Sequence, residues 1–137
     1  MEKGKPTYED LVEKIKEQSI YIERLTKKEE FLNTFRFFVE QSNDLICEID
    51  SDSLFRKVNP GIAHALGYSK EALIGKSFIS FVHPDDLEKS LKRFDSLTHG
   101  NTCASFENRF LNRNGEYIIV QWTAIPISSQ SIYAIGR

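Results

Sequence analysis

His83-Pro84-Asp85-Asp86 is the densest cluster of chemistry-bearing side chains in this 137-residue chain. An imidazole and two carboxylates within four positions are the makings of a metal or acid–base site. The same four residues also describe a helix start: proline at the first helical position lacks an N–H that would have no partner there, and carboxylates in the first turn complement the helix dipole. We read the helix start, because Leu87, Leu91, Phe94 and Leu97 share one face downstream and Gly100 stops the pattern. His64 and His99 stand at no metal-ligand spacing from His83 or from each other. Cys47 and Cys103 are too far apart in sequence for a zinc motif or a disulfide framework. There is no nucleophile elbow, phosphate-cradling glycine loop or paired metal ligands. The chain itself is therefore not expected to be an enzyme.

Composition narrows the class further. Eighteen basic against twenty acidic residues give a net charge of −2, and no basic stripe favours nucleic acid as a partner. There is no 18-residue apolar run and no signal-peptide start. The expectation is a soluble, cytoplasmic piece in a reducing compartment, from a parent that can itself be membrane-anchored.

The elements that must position any site fall into two parts, residues 1–40 as an N-terminal helix and residues 41–137 as a mixed domain. Residues 7–40 contain no Gly or Pro, and Thr7 with Asp10 resembles a capping box. Tyr8, Leu11, Ile15, Ile22, Leu25 and Leu32 alternate by three and four along a heptad seam that Gln18 and Glu29 interrupt. A helix about 50 Å long with one narrow apolar stripe needs a partner. We expect a homodimer through Leu11, Ile15, Ile22, Leu25 and Leu32, parallel or antiparallel, the alternative being a helix folded back on its own domain. From Phe31 the stripe broadens through Phe35, Phe38 and Val39, wide enough to cover the outer face of a sheet.

Next, residues 45–49 and 54–58 read as a hairpin, and residues 59–77 as short turns broken by Gly67 and Gly75, with Ser69 as a cap. A helix over 83–100 follows, then strands at about 103–112, 116–126 and 131–136, with the Asn114-Gly115 turn joining the first two. This order predicts an α+β fold, a five-stranded antiparallel sheet with helices on one face. Trp122 alternates with Ile118, Val120 and Ala124, while Tyr117, Ile119, Gln121 and Thr123 take the other face. Both faces are partly apolar, so alternation assigns a pocket to neither.

Residues 58–86, "VNPGIAHALGYSKEALIGKSFISFVHPDD", and 106–127, "FENRFLNRNGEYIIVQWTAIPI", resemble a PAS domain, the sensor module of bacterial signalling proteins. The carriers are Asn59-Pro60, Gly67-Tyr68, Glu71, Leu73-Ile74-Gly75 and His83-Pro84-Asp85-Asp86, then Glu107, Arg109, Gly115 and Trp122. The likeness covers about residues 36–137. It implies strand order 2-1-5-4-3 with the first strand central, and helices closed over the inner face of the sheet. It also implies an output signal beyond Arg137, hence a C-terminal effector in the parent: a sensor histidine kinase of a two-component phosphorelay first, a diguanylate cyclase second.

The resemblance yields two functional expectations. One is a dimeric sensory module that takes a small-molecule ligand; the other is a ligand-free interaction module whose interior is filled by Phe and Leu. The candidate pocket walls are Cys47, Phe81, Phe94, Phe106, Asn108, Phe110 and Trp122. The cofactor is unknown. Haem is disfavoured because His99, the nearest candidate ligand, sits at a helix stop. Photochemical flavin is disfavoured because residues 62–75 carry no cysteine.

Overall fold

The computed structural model describes residues 4–137. It contains two compact units, the first ending at Phe38 and the second spanning Val39–Arg137. In the first, α1 (Tyr8–Gln41) is one uninterrupted helix of 34 residues whose last turn belongs to the second unit. Its start is a reciprocal cap: the Asp10 N–H donates to Thr7 Oγ1 at 3.1 Å, and the Thr7 N–H donates to Asp10 Oδ2 at 3.0 Å. Leu11, Ile15, Ile22, Leu25 and Leu32 are exposed along it. Among the described residues, no helix is long and apolar enough to cross a membrane.

The second unit is built on one antiparallel sheet of β1 (Leu45–Ile49), β2 (Phe55–Val58), β3 (Cys103–Leu111), β4 (Tyr117–Ser128) and β5 (Ser131–Gly136). Its order is β2-β1-β5-β4-β3; the first strand pairs with the last, and it is the last, not the first as expected, that takes the central place. The β1–β2 turn closes on Asp50, whose Oδ1 accepts the N–H groups of Asp52 at 2.9 Å and Leu54 at 3.0 Å. The polar residues between the two strands thus fold into an Asx-type turn.

Between β2 and β3 lie α2 (Pro60–Leu66), α3 (Lys70–Leu73), 3₁₀ turns at Phe78–Phe81 and Pro84–Asp86, and α4 (Leu87–Thr98). Gly67 ends α2 in the left-handed region at φ 77°, the conformation that made it a stop signal. Ile62, Leu66 and Leu73 are wholly buried beneath these short helices.

The helix expected over 83–100 divides in two. His83 Nδ1 accepts the Asp85 N–H at 3.0 Å and starts a 3₁₀ turn, so the regular helix begins only at Leu87. Its inward face also differs from the leucine pattern. Leu91 is 44% exposed while Ser90 is 2% exposed, because Ser90 has a hydrogen-bond partner, Asn108, on the inner face of the sheet.

Asn59 holds the entry to this unit together. Its Oδ1 accepts the N–H groups of Ile46 at 2.9 Å and Ile62 at 3.0 Å; its Nδ2 donates to the carbonyls of Val39 and Asp44, both at 3.0 Å. One amide, 1% exposed, thus satisfies four backbone groups from the end of α1, the connecting turn, β1 and α2. The same crossing leaves no space at Gly61, where a Cβ would collide with the Asp44 carbonyl.

Candidate functional site

A cavity of about 60 Å³ opens between the inner face of the sheet and α4. Register explains why space remains there. Cys47 pairs with Ala134, Ala134 with Ala124, and Ala124 with Cys103, so four small side chains form one row across β1, β5, β4 and β3. All four line the cavity. The neighbouring row is the opposite case: Phe106 pairs with Trp122 and Trp122 with Gly136. A Cβ on Gly136 would stand 2.6 Å from Val120 Cγ1 and 2.8 Å from Trp122 Cζ3, so the indole owes its position to that glycine. Gly136→Ala is expected to cost about 2 kcal/mol by overpacking and to shift the Trp122 emission, measured by urea denaturation and steady-state fluorescence.

Cys103 reaches this row through a bulge. On a regular strand Cys103 and Phe106, three positions apart, would face opposite sides. Ser105, at φ 58°, inserts an extra residue and turns both inward.

The polar part of the cavity is a chain of three buried side chains. The Trp122 Nε1–H donates to Asn108 Oδ1 at 2.8 Å, and Asn108 Nδ2 donates to Ser90 Oγ at 3.1 Å. Asn108 and Ser90 are 3% and 2% exposed. Asn108 keeps one amide hydrogen and Ser90 its hydroxyl hydrogen beyond these bonds. Burial pushes the Cys47 thiol up to about 12, so at neutral pH it stands in the wall as an uncharged group. Arg93 lines the cavity yet is exposed, with its guanidinium 5.6 Å from the centre of the Phe106 ring.

Asp86 fixes α4 over the edge of the sheet. Arg109 donates Nε–H to Asp86 Oδ2 and an Nη2 hydrogen to Oδ1, both at 2.9 Å, and its backbone N–H to Oδ2 at 2.8 Å. These bonds hold the Asp86 carboxyl well below the usual carboxylate range. The acidic tetrad is thereby spent on structure: His83 caps its own turn, and Asp86 grips β3. Among the described residues, no group of three His, Cys, Asp or Glu side chains is placed to hold a metal. His99 stands exposed at the end of α4, with Nδ1 2.7 Å from the Asp95 carbonyl.

Six of the seven expected pocket residues, Cys47, Phe94, Phe106, Asn108, Phe110 and Trp122, line this one cavity. Phe81 does not. It packs beside it against Phe55 and Tyr68, with ring centres 6.1 and 5.4 Å away, because the 3₁₀ turn Phe78–Phe81 directs Phe78, not Phe81, onto Phe94. Among the lining residues that sequence reasoning missed are Ser90, Arg93, Cys103, Ala124 and Ala134. The alternation of Ala124 with Trp122 was a usable signal for one of them; the others depend on register and on which side α4 presents.

Residues 55–136 match the family described as PAS fold. A 95-residue stretch, 69% of this chain, is 30% identical to the probable diguanylate cyclase DgcE of Escherichia coli, of which it spans 8%. Among solved structures, a domain of a sensory box sensor histidine kinase/response regulator from Geobacter sulfurreducens superposes with a TM-score of 0.69 at 23% identity, over 77% of this chain and 91% of that one. The PAS domain of an HTR-like protein from Haloarcula marismortui gives 0.66 at 23% identity, over 84% and 97%.

Proposed function

The chain belongs to the PAS fold family, and from that premise we propose that Val39–Arg137 is a ligand-sensing module that reports cavity occupancy to an effector elsewhere in its parent protein. The observation that carries this reading is the cavity: small residues keep it open, and buried Asn108 and Ser90 retain unused hydrogen-bonding capacity inside it. A domain selected only for packing gains nothing from such a gap, since unfilled space costs stability. The effector is a histidine kinase or a diguanylate cyclase, in keeping with the likeness to DgcE. The exposed seam of α1 supports a homodimer through Leu11, Ile15, Ile22, Leu25 and Leu32.

A relay needs a ligand that binds two arrangements unequally. The route we assign runs from Cys47 in the cavity wall to its neighbour Ile46, whose N–H is held by Asn59, and from Asn59 to the Val39 carbonyl in the last turn of α1. No charge or covalent step is required; a shift of β1 is enough to load or relax that amide.

Organic extraction of the purified chain followed by mass spectrometry is expected to release a stoichiometric small molecule. Ala134→Leu is expected to fill the cavity, abolish that retention and leave the melting temperature within a few degrees. An empty extract, with no probe compound altering Trp122 emission, would sink the sensing reading. A ligand-free interaction module has its own support in the outer face of the sheet, where Ile119, Ile125, Ile127 and Ile135 are exposed. Self-association or partner binding unaffected by Ala134→Leu would favour that alternative.

A further inference from the structure

We propose that the cavity selects a small monocarboxylate with a short apolar tail, its anionic head held by Arg93 with Ser90 and Asn108. This rests on the ligand-sensing reading above and adds to it the chemical class.

The cations of α4 are not equivalent. Lys89 lies 3.5 Å from Asp86 and Lys92 lies 3.5 Å from Glu88. Arg93, which follows both in the chain, has no carboxylate within ion-pair distance among the described residues and faces the Phe106 ring. It is also the sole charged residue of the cavity wall. Ser90 and Arg93 are three positions apart on one helix, hence on neighbouring surface, and Asn108 reaches Ser90 from β3. What these three have left to offer is mostly donors: guanidinium N–H groups, one hydroxyl hydrogen and one amide hydrogen, beside one lone pair each on Ser90 Oγ and Asn108 Oδ1.

A purely apolar ligand would leave the buried Ser90 and Asn108 hydrogens without partners, at a cost of about 1–3 kcal/mol each. A cation would meet Arg93 head on. A carboxylate supplies two acceptor oxygens in the geometry a guanidinium pairs best. The remaining wall, including Cys47, Phe110, Trp122 and Ala134, is apolar or uncharged. At roughly 15 Å³ per water-sized sphere, a cavity of about 60 Å³ holds about four such spheres, so the tail is short. A second carboxylate would be buried with no cation to meet it, so dicarboxylates are rejected.

Trp122 is the single tryptophan and its indole N–H bonds to Asn108, so its emission and indole resonance report on this cavity alone. The test is titration of the whole chain with isovalerate and, as a shape match without charge, isovaleramide. Isovalerate is expected to bind at least tenfold more tightly. Arg93→Gln is expected to erase that difference by weakening the acid and leaving the amide unchanged, while Arg93→Lys keeps part of it. Equal binding of the two compounds, or an acid preference that survives Arg93→Gln, overturns the carboxylate assignment and leaves the sensing reading standing. Silence of the indole towards both compounds overturns the assignment too, and combined with an empty organic extract it removes the sensing reading with it.

Discussion

Asn59→Ala is expected to lower the unfolding free energy by about 4 kcal/mol, the largest effect of any single polar substitution in this chain. Four backbone groups lose their partner at once: the N–H groups of Ile46 and Ile62 and the carbonyls of Val39 and Asp44. Each unsatisfied buried group costs about 1–3 kcal/mol, and the part-buried ones recover some of this from water, which holds the sum to the figure given. A domain of this size has about 5–15 kcal/mol in total, so the variant is marginal at 37 °C. Urea denaturation followed by Trp122 emission measures it.

Asn59→Asp separates the two halves of the amide. The retained oxygen still caps α2 and holds Ile46, while the second oxygen faces the Val39 and Asp44 carbonyls. That environment favours the neutral carboxyl, raising its folded pKa. A raised folded pKa means stability present at low pH and lost as pH rises, so this variant is expected to weaken above pH about 4. A loss below about 1 kcal/mol for Asn59→Ala would show that the tie is not what holds α1's last turn to β1 and α2.

Asp86→Asn is expected to cost about 3 kcal/mol at pH 7. Breaking a buried ion pair costs about 3–5 kcal/mol, and Arg109, with its side chain 37% exposed, keeps the value at the lower end through solvent screening. The pH dependence gives the mechanism. Hydrogen bonds from Arg109 hold the folded Asp86 carboxyl well below its unfolded value. A depressed folded pKa contributes stability that is present above the unfolded pKa of about 3.9 and lost as pH falls below it. The native chain is therefore expected to weaken between pH about 5 and pH 2, and Asp86→Asn to flatten that limb, so the gap between the two proteins closes in acid. Parallel urea curves at pH 7 and pH 3 check this. An unchanged gap would place the stabilisation in packing and not in the ion pair.

These two residues mark how far the sequence can be read. Both belong to motifs visible in the chain, Asn59-Pro60 and His83-Pro84-Asp85-Asp86, and the second was legible as a helix start. Their capping roles are local: Asn59 accepts from Ile62 three positions on, and His83 caps its own turn. Their long-range roles were not legible. Asp86 meets Arg109 across 23 positions and Asn59 meets Val39 across 20, separations at which neither periodicity nor capping chemistry constrains a partner.

The cavity divides in the same way. Phe94, Phe106, Asn108, Phe110 and Trp122 were identifiable as inward candidates because aromatic and amide side chains on amphipathic elements announce themselves. Ser90 was hidden by Leu91, since a leucine pattern takes no account of a hydrogen-bond partner waiting on β3. Phe81 was misplaced because a 3₁₀ turn does not follow the spacing of an α-helix.

What the amino-acid order determined by itself was the series of elements and their ends: Thr7 with Asp10 opening α1, Gly67 closing α2, Asn114-Gly115 turning β3 into β4. Capping, left-handed glycine geometry and turn chemistry act within four or five residues, so the chain carries them wherever it goes. What only the tertiary structure decided was which face of the sheet carries the cavity, the bulge at Ser105 that brings Cys103 inward, and the alignment of Cys47, Ala134, Ala124 and Cys103 into a row too small to fill. Those depend on register between strands distant in the chain, where a shift of one residue would send every side chain to the other face.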